Sequence, residues 1–540
     1  MHPYLVESFT DEESAELTPF VTNLDQPVFA LTNLPEVVKG AMFSRYSRSS
    51  KSLRRLFLDE FAADVRSGPV PVAADEAGGR AARLYERVFV EYGDDSVAQL
   101  GGAHVAVEQA SNLLTKVLQW GRLGSYLEQS TRYVPYDDKP GGRYRYYRDP
   151  DVMSSPHAQG YQQTLDAAFD VYARSLPQVR AWAEAAFPRE EGTSPGAHRR
   201  TITAKTCDLL RGLLPAATLS NMGIFGSGQT YEQLLIRLRS HDLAEARHVG
   251  DLMLTQLQPV IGSFLTRVDR PDRGGRWAAY LADTRAQSRE VAAQLLAGVE
   301  AEEGPEVRLV AHWPDEPDVE LVTGILYPHS SLPEHQLRRV VEGMSADDRC
   351  RAVRAWVGER GNRRHKPGRA LERIGYRFDV CGDYGAFRDL QRHRMLTLDW
   401  QPLSPAHGYE TPPELEEAGV AGAWHEVLGR QAELYGAIAA DLPVQAQYAV
   451  GLAYRVRYSM QLNARAAMQM LELRTTPQGH PSYRRVCQTM HRLIAEEAGH
   501  PAVAELMSFV DHSSGGLERL ESERRIEARR LARDAEAAVQ

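Results

Sequence analysis

Long stretches of the chain place apolar residues three and four positions apart, the spacing of amphipathic helices. Two shorter runs of apolar and β-branched residues, VRLVAHW at 307–313 and ELVTGIL at 320–326, are instead predicted strands. The pattern therefore predicts a chain rich in helices with a smaller number of strands. The longest predicted helices lie at 157–186, 229–257, 421–442 and 484–508.

Three segments of the first half recur in the second half, in the same order. Each recurrence joins a short apolar run or a polar turn to the start of a helix, and three ordered matches indicate a tandem duplication. The matched pairs are 37–61 with 321–344, 111–129 with 385–401, and 228–240 with 463–475.

Loop composition places the boundary between the copies in the segment from Asp269 to Glu306. DRPDRGGRW and GVEAEEGPE are rich in proline, glycine and charge, and AAYLADTRAQSREVAAQLL between them is predicted as a connecting helix. The last residues form a charged helix with little apolar face, which is typical of a solvated tail. The predicted domains are 1–285 and 286–515, followed by a helical tail at 516–540.

Composition narrows the class of protein. Hydrophobic residues make up 43% and charged residues 25% of the chain, as in soluble globular proteins. No apolar run reaches the length of a membrane span, and the net charge of −9 argues against a general nucleic-acid coat. The N-terminal residues lack a signal-peptide pattern, and the cysteines lie far apart, so we predict a cytoplasmic protein with free thiols. The four cysteines are Cys207, Cys350, Cys381 and Cys487.

Two generic motifs carry little weight. GIFGSGQT at 223–230 has the spacing of a phosphate-binding loop, but Gln229 stands where that loop needs a lysine. His241, Glu245 and His248 would share one helix face and could hold a metal, although an exposed polar face is far commoner. We therefore predict no metal site.

A cluster of cations in the second half is more specific. Arg392 and Arg394 flank His393, and two guanidinium groups around an imidazole can grip a pyrophosphate. A charge cluster on the surface is the alternative explanation for such a short motif. The first half carries SYLEQSTRYVPY at the equivalent place, which gives the cluster a partner motif.

Together these motifs resemble the flavin-dependent thymidylate synthases (the ThyX family), which carry a run like RHRxxSxNEQSxRY. The first copy keeps the ExSxRY part, and the second copy keeps RHR. The family's ARxxLP element resembles Arg211 to Pro215, and its NxRAxxxFLxLR helix resembles Asn463 to Arg474. In the first half that helix keeps only Arg239. The resemblance covers about residues 25–260 and 315–500.

The family's upstream histidine–serine element is only partly present in each copy. It resembles GDDSVAQ at 93–99, with aspartate in place of histidine, and HKPGRAL at 365–371, with the serine lost. The carboxylate that should close the element is missing from both copies, since Gln99 and Ala370 stand there.

The resemblance implies an α+β fold of two tandem ThyX-like domains, each a mixed sheet packed with long helices. Family members are homotetramers that use FAD and NADPH to transfer a methylene group from methylenetetrahydrofolate to C5 of dUMP. By position, the flavin-side residues would be His365, Arg392, His393, Arg394, Asn463 and Arg465. The nucleotide-side residues would be Glu128, Ser130, Arg132 and Arg211, with Arg474 and Arg239 as the catalytic arginines.

The complementary losses suggest a division of labour, with a nucleotide half at 1–285 and a flavin half at 286–515. A homodimer of the tandem chain would then form a pseudo-tetramer with complete sites where the two kinds of half meet. Two alternatives stay open. The chain could be a degenerate ThyX relative that only binds flavin or nucleotide or partners a true synthase, or it could methylate C5 of another pyrimidine nucleotide.

Overall fold

The structure of the protein is a computed structural model. The predicted element at 93–99 and most of the predicted tail lie outside the residues that it describes. The described residues are 4, 6–34, 42, 46, 49–62, 102–513, 516, 520–521, 523–525 and 527–529.

Two four-stranded antiparallel sheets repeat the same topology. The strand orders are β1-β2-β4-β3 and β5-β6-β8-β7, so the second sheet has the order of the first. In each sheet the second and fourth strands form the centre, and the first and third lie at the edges. The strands are β1 Val28–Leu31, β2 Gly102–Ser111, β3 Ser125–Glu128, β4 Leu219–Ser227, β5 Val307–Trp313, β6 Gly375–Asp383, β7 Thr397–Trp400 and β8 Arg455–Asn463.

Helices connect and cover these strands. In chain order they are α1 Asp11–Leu17, α2 Leu53–Glu60, α3 Asn112–Gln119, α4 Pro150–Ser154, α5 Ala158–Ala186, α6 Pro195–Leu210, α7 Gly228–Arg239, α8 Ala244–Ile261, α9 Arg276–Leu295, α10 Pro317–Leu326, α11 Glu334–Glu342, α12 Ala346–Val357, α13 Tyr384–Leu390, α14 Glu414–Glu417, α15 Ala421–Ala439, α16 Ala464–Arg474, α17 Pro481–Glu496 and α18 Pro501–Leu506.

Both central strands of each sheet run directly into a helix through a polar N-cap. Ser111 caps α3 and Ser227 caps α7, and each side chain accepts a hydrogen bond from a backbone N–H of the first turn. Asp383 and Asn463 do the same for α13 and α16. Since a polar N-cap satisfies N–H groups that have no partner within the helix, this strand–cap–helix unit explains why all four helices begin where they do.

The chain forms two compact units, and each unit combines segments from both halves of the sequence. The predicted division at residues 285 and 286 stays a prediction, because compactness is a different criterion from sequence repetition. The first unit comprises Met1–Leu176, Leu213–Ala301 and Gly422–Gly451, and the second comprises Pro177–Gly212, Glu302–Ala421 and Leu452–Gln540.

Several predicted elements are confirmed and others are corrected. VRLVAHW is strand β5, and ELVTGIL, predicted as a strand, lies in helix α10. Pro317 begins that helix, and its apolar residues Val319 and Val322 pack against Leu337 and Val341. An apolar run of this length fits either element, so its spacing alone did not decide between helix and strand.

Two of the long predicted helices are interrupted. The helix predicted at 229–257 is divided into α7 and α8, and the one at 484–508 into α17 and α18. The second interruption contains Gly499, which has a φ of 66°. This left-handed conformation suits glycine and ends a helix. The helices predicted at 157–186 and 421–442 are confirmed as α5 and α15, and the connecting helix as α9.

A buried carboxylate joins three segments of the first unit. Glu245 of α8 accepts hydrogen bonds from the backbone N–H of Ser111 at 2.9 Å and from its hydroxyl at 2.6 Å. The hydroxyl of Tyr448 donates a third bond at 2.7 Å. Burial raises the pKa of Glu245 to about 7, although the hydrogen bonds oppose the rise.

The raised pKa makes the first unit sensitive to pH. Between the usual carboxyl value and about 7 the unfolded chain is ionised while folded Glu245 holds its proton, so stability decreases as the pH rises through that window. Between pH 5 and pH 8, we expect the free energy of unfolding to fall by about 1–3 kcal/mol more in the wild type than in Glu245→Gln. Urea denaturation at the two pH values measures the difference. The exposed Glu300→Gln is the control, and equal pH dependence in all three proteins would contradict the expectation.

Candidate active site

The RHR tripeptide forms the turn between α13 and β7 in the second unit. The Nε2 atom of His393 accepts a hydrogen bond from Nε of Arg474 at 2.9 Å. An imidazole nitrogen that accepts from a guanidinium carries no proton, so the neutral ring holds its proton on Nδ1. Burial, and next the positive charge of Arg474, holds the pKa of His393 well below its usual range.

Asp389, in the last turn of α13, lies between two arginines. One carboxylate oxygen is 3.4 Å from Nη1 of Arg211, and the other is 3.8 Å from Nη1 of Arg474. The exposed fractions of these side chains are 12% for Asp389, 5% for Arg211 and 15% for Arg474. The second unit thus joins Arg211, Asp389, Arg474 and His393 in one polar chain of alternating partners, which we call the arginine–aspartate chain.

The start of α13 makes room for Arg211. Asp383 caps α13, and its Oδ1 atom is 3.9 Å from Nη2 of Arg211. A Cβ atom added at Gly385 would lie 3.0 Å from the same Nη2 atom. Nη2 of Arg211 is buried and makes no hydrogen bond among the described residues. The guanidinium is therefore held by charge and close packing, with one donor still unused.

A basic loop, residues 360–367, is fastened to α16. Arg360 binds the buried Glu472 through two hydrogen bonds of 2.7 Å, and Lys366 donates to Gln469 at 2.6 Å. Arg465 of the helix donates to the carbonyl oxygen of Pro367 at 3.2 Å. These contacts hold a group of cations along α16.

The charges in the basic loop are crowded. Burial, the positive charge of Arg465 and then that of Arg363 lower the pKa of Lys366. Lys366 and Arg392 in turn contribute to the low pKa of His393. This mutual influence of like charges indicates a positively charged surface near the RHR turn.

Two predicted flavin-side residues have structural partners in this region. His365 is exposed, and its Nδ1 atom accepts a hydrogen bond from the backbone N–H of Gly361 at 3.1 Å, which closes the basic loop. Asn463 accepts from the N–H of Ala466 at 2.8 Å as the N-cap of α16. The Nε2 atom of His365 also contacts the side-chain amide of Asn362 at 3.0 Å, so both ring nitrogens have partners in the loop. The cap bond of Asn463 uses only its amide oxygen.

The predicted nucleotide-side residues divide between the units. Glu128, Ser130 and Arg132 belong to the first unit, whereas Arg211 belongs to the second. Glu128 is buried and binds Lys116 at 3.1 Å and Gln119 at 2.8 Å. Its charge is therefore already compensated inside the protein.

Arg239 and Arg474 do not occupy equivalent helix positions. Counted from the N-caps Ser227 and Asn463, Arg239 lies one residue further along α7 than Arg474 lies along α16. Arg239 forms ion pairs of 3.0 Å with Asp251 and 3.3 Å with Asp269, whereas Arg474 contacts Asp389 and His393. The alignment of 228–240 with 463–475 is therefore corrected by one residue.

The structure thus brings together Arg211, His393 and Arg474, which the sequence had assigned to three different roles. It also adds residues that sequence reasoning missed, chiefly Asp389, Gly385 and Lys116. Lysine is rare in this arginine-rich chain, so Lys116 carried a signal of its own. Asp389 carried none, because one acidic residue beside arginines is common on helix surfaces.

Comparison with known proteins decides the family. The family model described as "Thymidylate synthase complementing protein" matches this chain twice, over residues 44–261 and 308–500. The chain belongs to this family, that of the ThyX proteins. The two matches confirm the tandem duplication of ThyX-like domains and the α+β class predicted for them. The described sheets are antiparallel, where mixed sheets were predicted.

Two relatives match this chain over almost its whole length. A "UPF0159 protein" of Chlamydia pneumoniae is 42% identical over 96% of this chain and 98% of its own length. Another UPF0159 protein, from Thermoplasma acidophilum, is 30% identical over 90% of this chain and 97% of its own length. This chain therefore spans nearly the whole length of both relatives.

Among solved structures, the flavin-dependent thymidylate synthase ThyX from Helicobacter pylori, complexed with FAD and dUMP, matches this chain. It is 20% identical, and the match covers 36% of this chain and 97% of that one, with a TM-score of 0.27. Within the described part of the chain, no helix is long and apolar enough to cross a membrane. The same residues contain no group of histidine, cysteine and acidic side chains that could hold a metal ion.

The low pKa of His393 predicts a dependence of stability on pH. As the pH falls below 6.5, the usual pKa of histidine, this residue takes up a proton in the unfolded chain but not in the folded protein. The stabilisation is complete above that value and is lost as the pH falls. We expect the wild type to lose more free energy of unfolding between pH 7.5 and pH 5.5 than His393→Gln does. Urea denaturation measures this, with the exposed His335→Gln as control, and equal losses in the variant and the wild type would contradict it.

Proposed function

We propose that this protein is a flavin-dependent methyltransferase that makes dTMP from dUMP, with methylenetetrahydrofolate as the methylene donor and NADPH as the reductant. The observation that carries the proposal is the positively charged region around the RHR turn of the second unit. Arg392, His393, Lys366 and Arg465 lie there, in a chain of the ThyX family.

The side chains present fit a flavin dinucleotide. A pyrophosphate needs concentrated positive charge and N–H donors, and the basic loop supplies both. Burial and the nearby charges of Arg465 and Arg363 lower the pKa of Lys366 there. We assign flavin binding to Arg392, His393, Arg394, His365, Asn463 and Arg465. FAD, when bound, would supply the redox chemistry, while the protein binds and orients it.

The neutral imidazole of His393 suits a binding role. With Nε2 accepting from Arg474, only its Nδ1–H can donate to a ligand. Arg474 in turn presents a fixed positive charge, which can stabilise negative charge as it develops on a pyrimidine ring. The catalytic role proposed for Arg474 rests on this pairing, whereas the surface ion pairs of Arg239 weaken its own case.

For the nucleotide side we keep Ser130, Arg132, Arg211 and Glu128 as candidates, in a homodimer that works as a pseudo-tetramer. One observation favours the second candidate function, a ThyX relative that binds flavin without methylating dUMP. Glu128 is fully buried and neutralised by Lys116, so it reaches a nucleotide only if that ion pair opens.

Flavin retention tests the proposal. The purified full chain should bind FAD with its visible absorption band, and it should oxidise NADPH faster when dUMP is added. Arg392→Ala should retain at least tenfold less flavin, because the half-buried guanidinium assigned to the pyrophosphate is lost. The matched control is Arg351→Ala, whose side chain is 83% exposed.

Three outcomes separate the alternatives. A chain that cannot be reconstituted with FAD contradicts the proposal as a whole. Flavin binding without any effect of dUMP on NADPH oxidation favours the non-methylating relative. Equal flavin retention in Arg392→Ala and Arg351→Ala overturns the assignment of the flavin to the RHR turn.

A further inference from the structure

Asp389 lies at a position that is electrostatically unfavourable for a carboxylate. It lies in the last turn of α13, and a negative charge at the C-terminal end of a helix is unfavourable. Arg211 and Arg474 compensate for this from two directions, at 3.4 Å and 3.8 Å. These three side chains form the nearly buried part of the arginine–aspartate chain, which we call the row.

The charge of this row argues against an anionic ligand between the arginines. Arg211 already has Asp389 and Asp383 within ion-pair distance, and Arg474 shares Asp389. A phosphate that entered here would have to displace a buried carboxylate and leave it beside another negative charge. Such a rearrangement is costly in the low-dielectric interior of a protein.

The hydrogen-bonding pattern of the row argues for a neutral ligand of a definite kind. Arg211 and Arg474 place N–H donors on either side of the Asp389 carboxylate, at 3.4 Å and 3.8 Å, and the carboxylate between them offers acceptors. The complement of donor–acceptor–donor is a carbonyl, an N–H and a second carbonyl in line. That edge is a cyclic imide, and uracil and the isoalloxazine ring of flavin both carry it.

We propose that Asp389 is a specificity-determining residue, which accepts a hydrogen bond from the imide N–H of a ligand whose carbonyl oxygens face Arg211 and Arg474. The proposal rests on the proposed function and deepens it. It assigns Arg211 to the neutral base or ring edge and not to a phosphate. Cytosine is rejected because its ring nitrogen at that position is an acceptor and would face the carboxylate oxygen.

Methylation of the ligand tests the proposal without any change to the protein. An N3-methyl group removes the donor and adds bulk, and a site built to accept that hydrogen bond rejects the analogue. We expect the wild-type chain to bind N3-methyl-dUMP at least tenfold more weakly than dUMP, if uracil is the source of the edge. If the flavin is the source, N3-methyl-FAD is retained at least tenfold more weakly than FAD. Equilibrium dialysis on the full chain measures both pairs.

The Asp389→Asn variant tests the residue. An amide can donate to the ring nitrogen of cytosine, so the preference for dUMP over dCMP should fall at least fivefold in the uracil case. In the flavin case, the penalty of the N3-methyl group should shrink by the same factor. The exposed Asp347→Asn changes charge equally in the second unit and should preserve both preferences.

The readouts keep this proposal apart from the proposed function. If N3-methylation weakens the binding of neither dUMP nor FAD, the role of Asp389 is overturned. This holds even where flavin binding and dUMP-stimulated NADPH oxidation are intact. A chain that binds neither ligand overturns both proposals. If dUMP binds with the expected dependence on N3–H but no flavin is retained, only the proposed redox function falls. If Asp389→Asn does not fold, the methylated ligands still decide the matter on the wild type.

Discussion

Two guanidinium groups, those of Arg211 and Arg474, share the carboxylate of Asp389 inside the second unit. Each of these charges alone would be costly at such low exposure, and the ion pairs between them offset that cost. The row reaches His393 through the hydrogen bond from Arg474, and burial together with the charge of Arg474 lowers the pKa of the imidazole and keeps it neutral. The polar character of the candidate site therefore depends on one shared ion pair.

The composition of the units explains how this row is assembled. Arg211 follows helix α6, in the segment Pro177–Gly212, which packs with second-half residues in the second unit. In the first unit the reverse holds, since Tyr448 of the segment Gly422–Gly451 binds Glu245. Each unit thus takes a segment from the other copy of the duplication. A site of this kind survives the loss of motifs in one copy if the other copy supplies the missing side chain.

Much of the fold could be predicted, because the information was local. The helices α5 and α15 have long, regular apolar spacing, and the repeated strand–cap–helix unit leaves a recognisable polar residue at each N-cap. The helix α10 could not be predicted in the same way, since a short apolar run suits either element until tertiary packing decides. Helix interruptions such as Gly499 are similarly weak signals within a periodic pattern.

The candidate site was only partly predictable, for a different physical reason. Motif resemblance identified Arg392, His393 and Arg474. It could not reveal that Arg211 and Arg474 share Asp389, or that Glu128 forms a buried ion pair with Lys116. Such contacts depend on which segments pack together, and that is a property of the whole fold. Asp389 illustrates the limit, because its importance arises from partners that are distant in the sequence.

A double-mutant cycle between Arg211 and Asp389 tests the central ion pair most directly. The free energy of unfolding would be measured by urea denaturation for the wild type, Arg211→Ala, Asp389→Asn and the double variant. The account predicts a coupling energy of about 1–3 kcal/mol, because either single change removes the nearest counter-charge of its buried partner. Effects that add to within about 0.5 kcal/mol would contradict it.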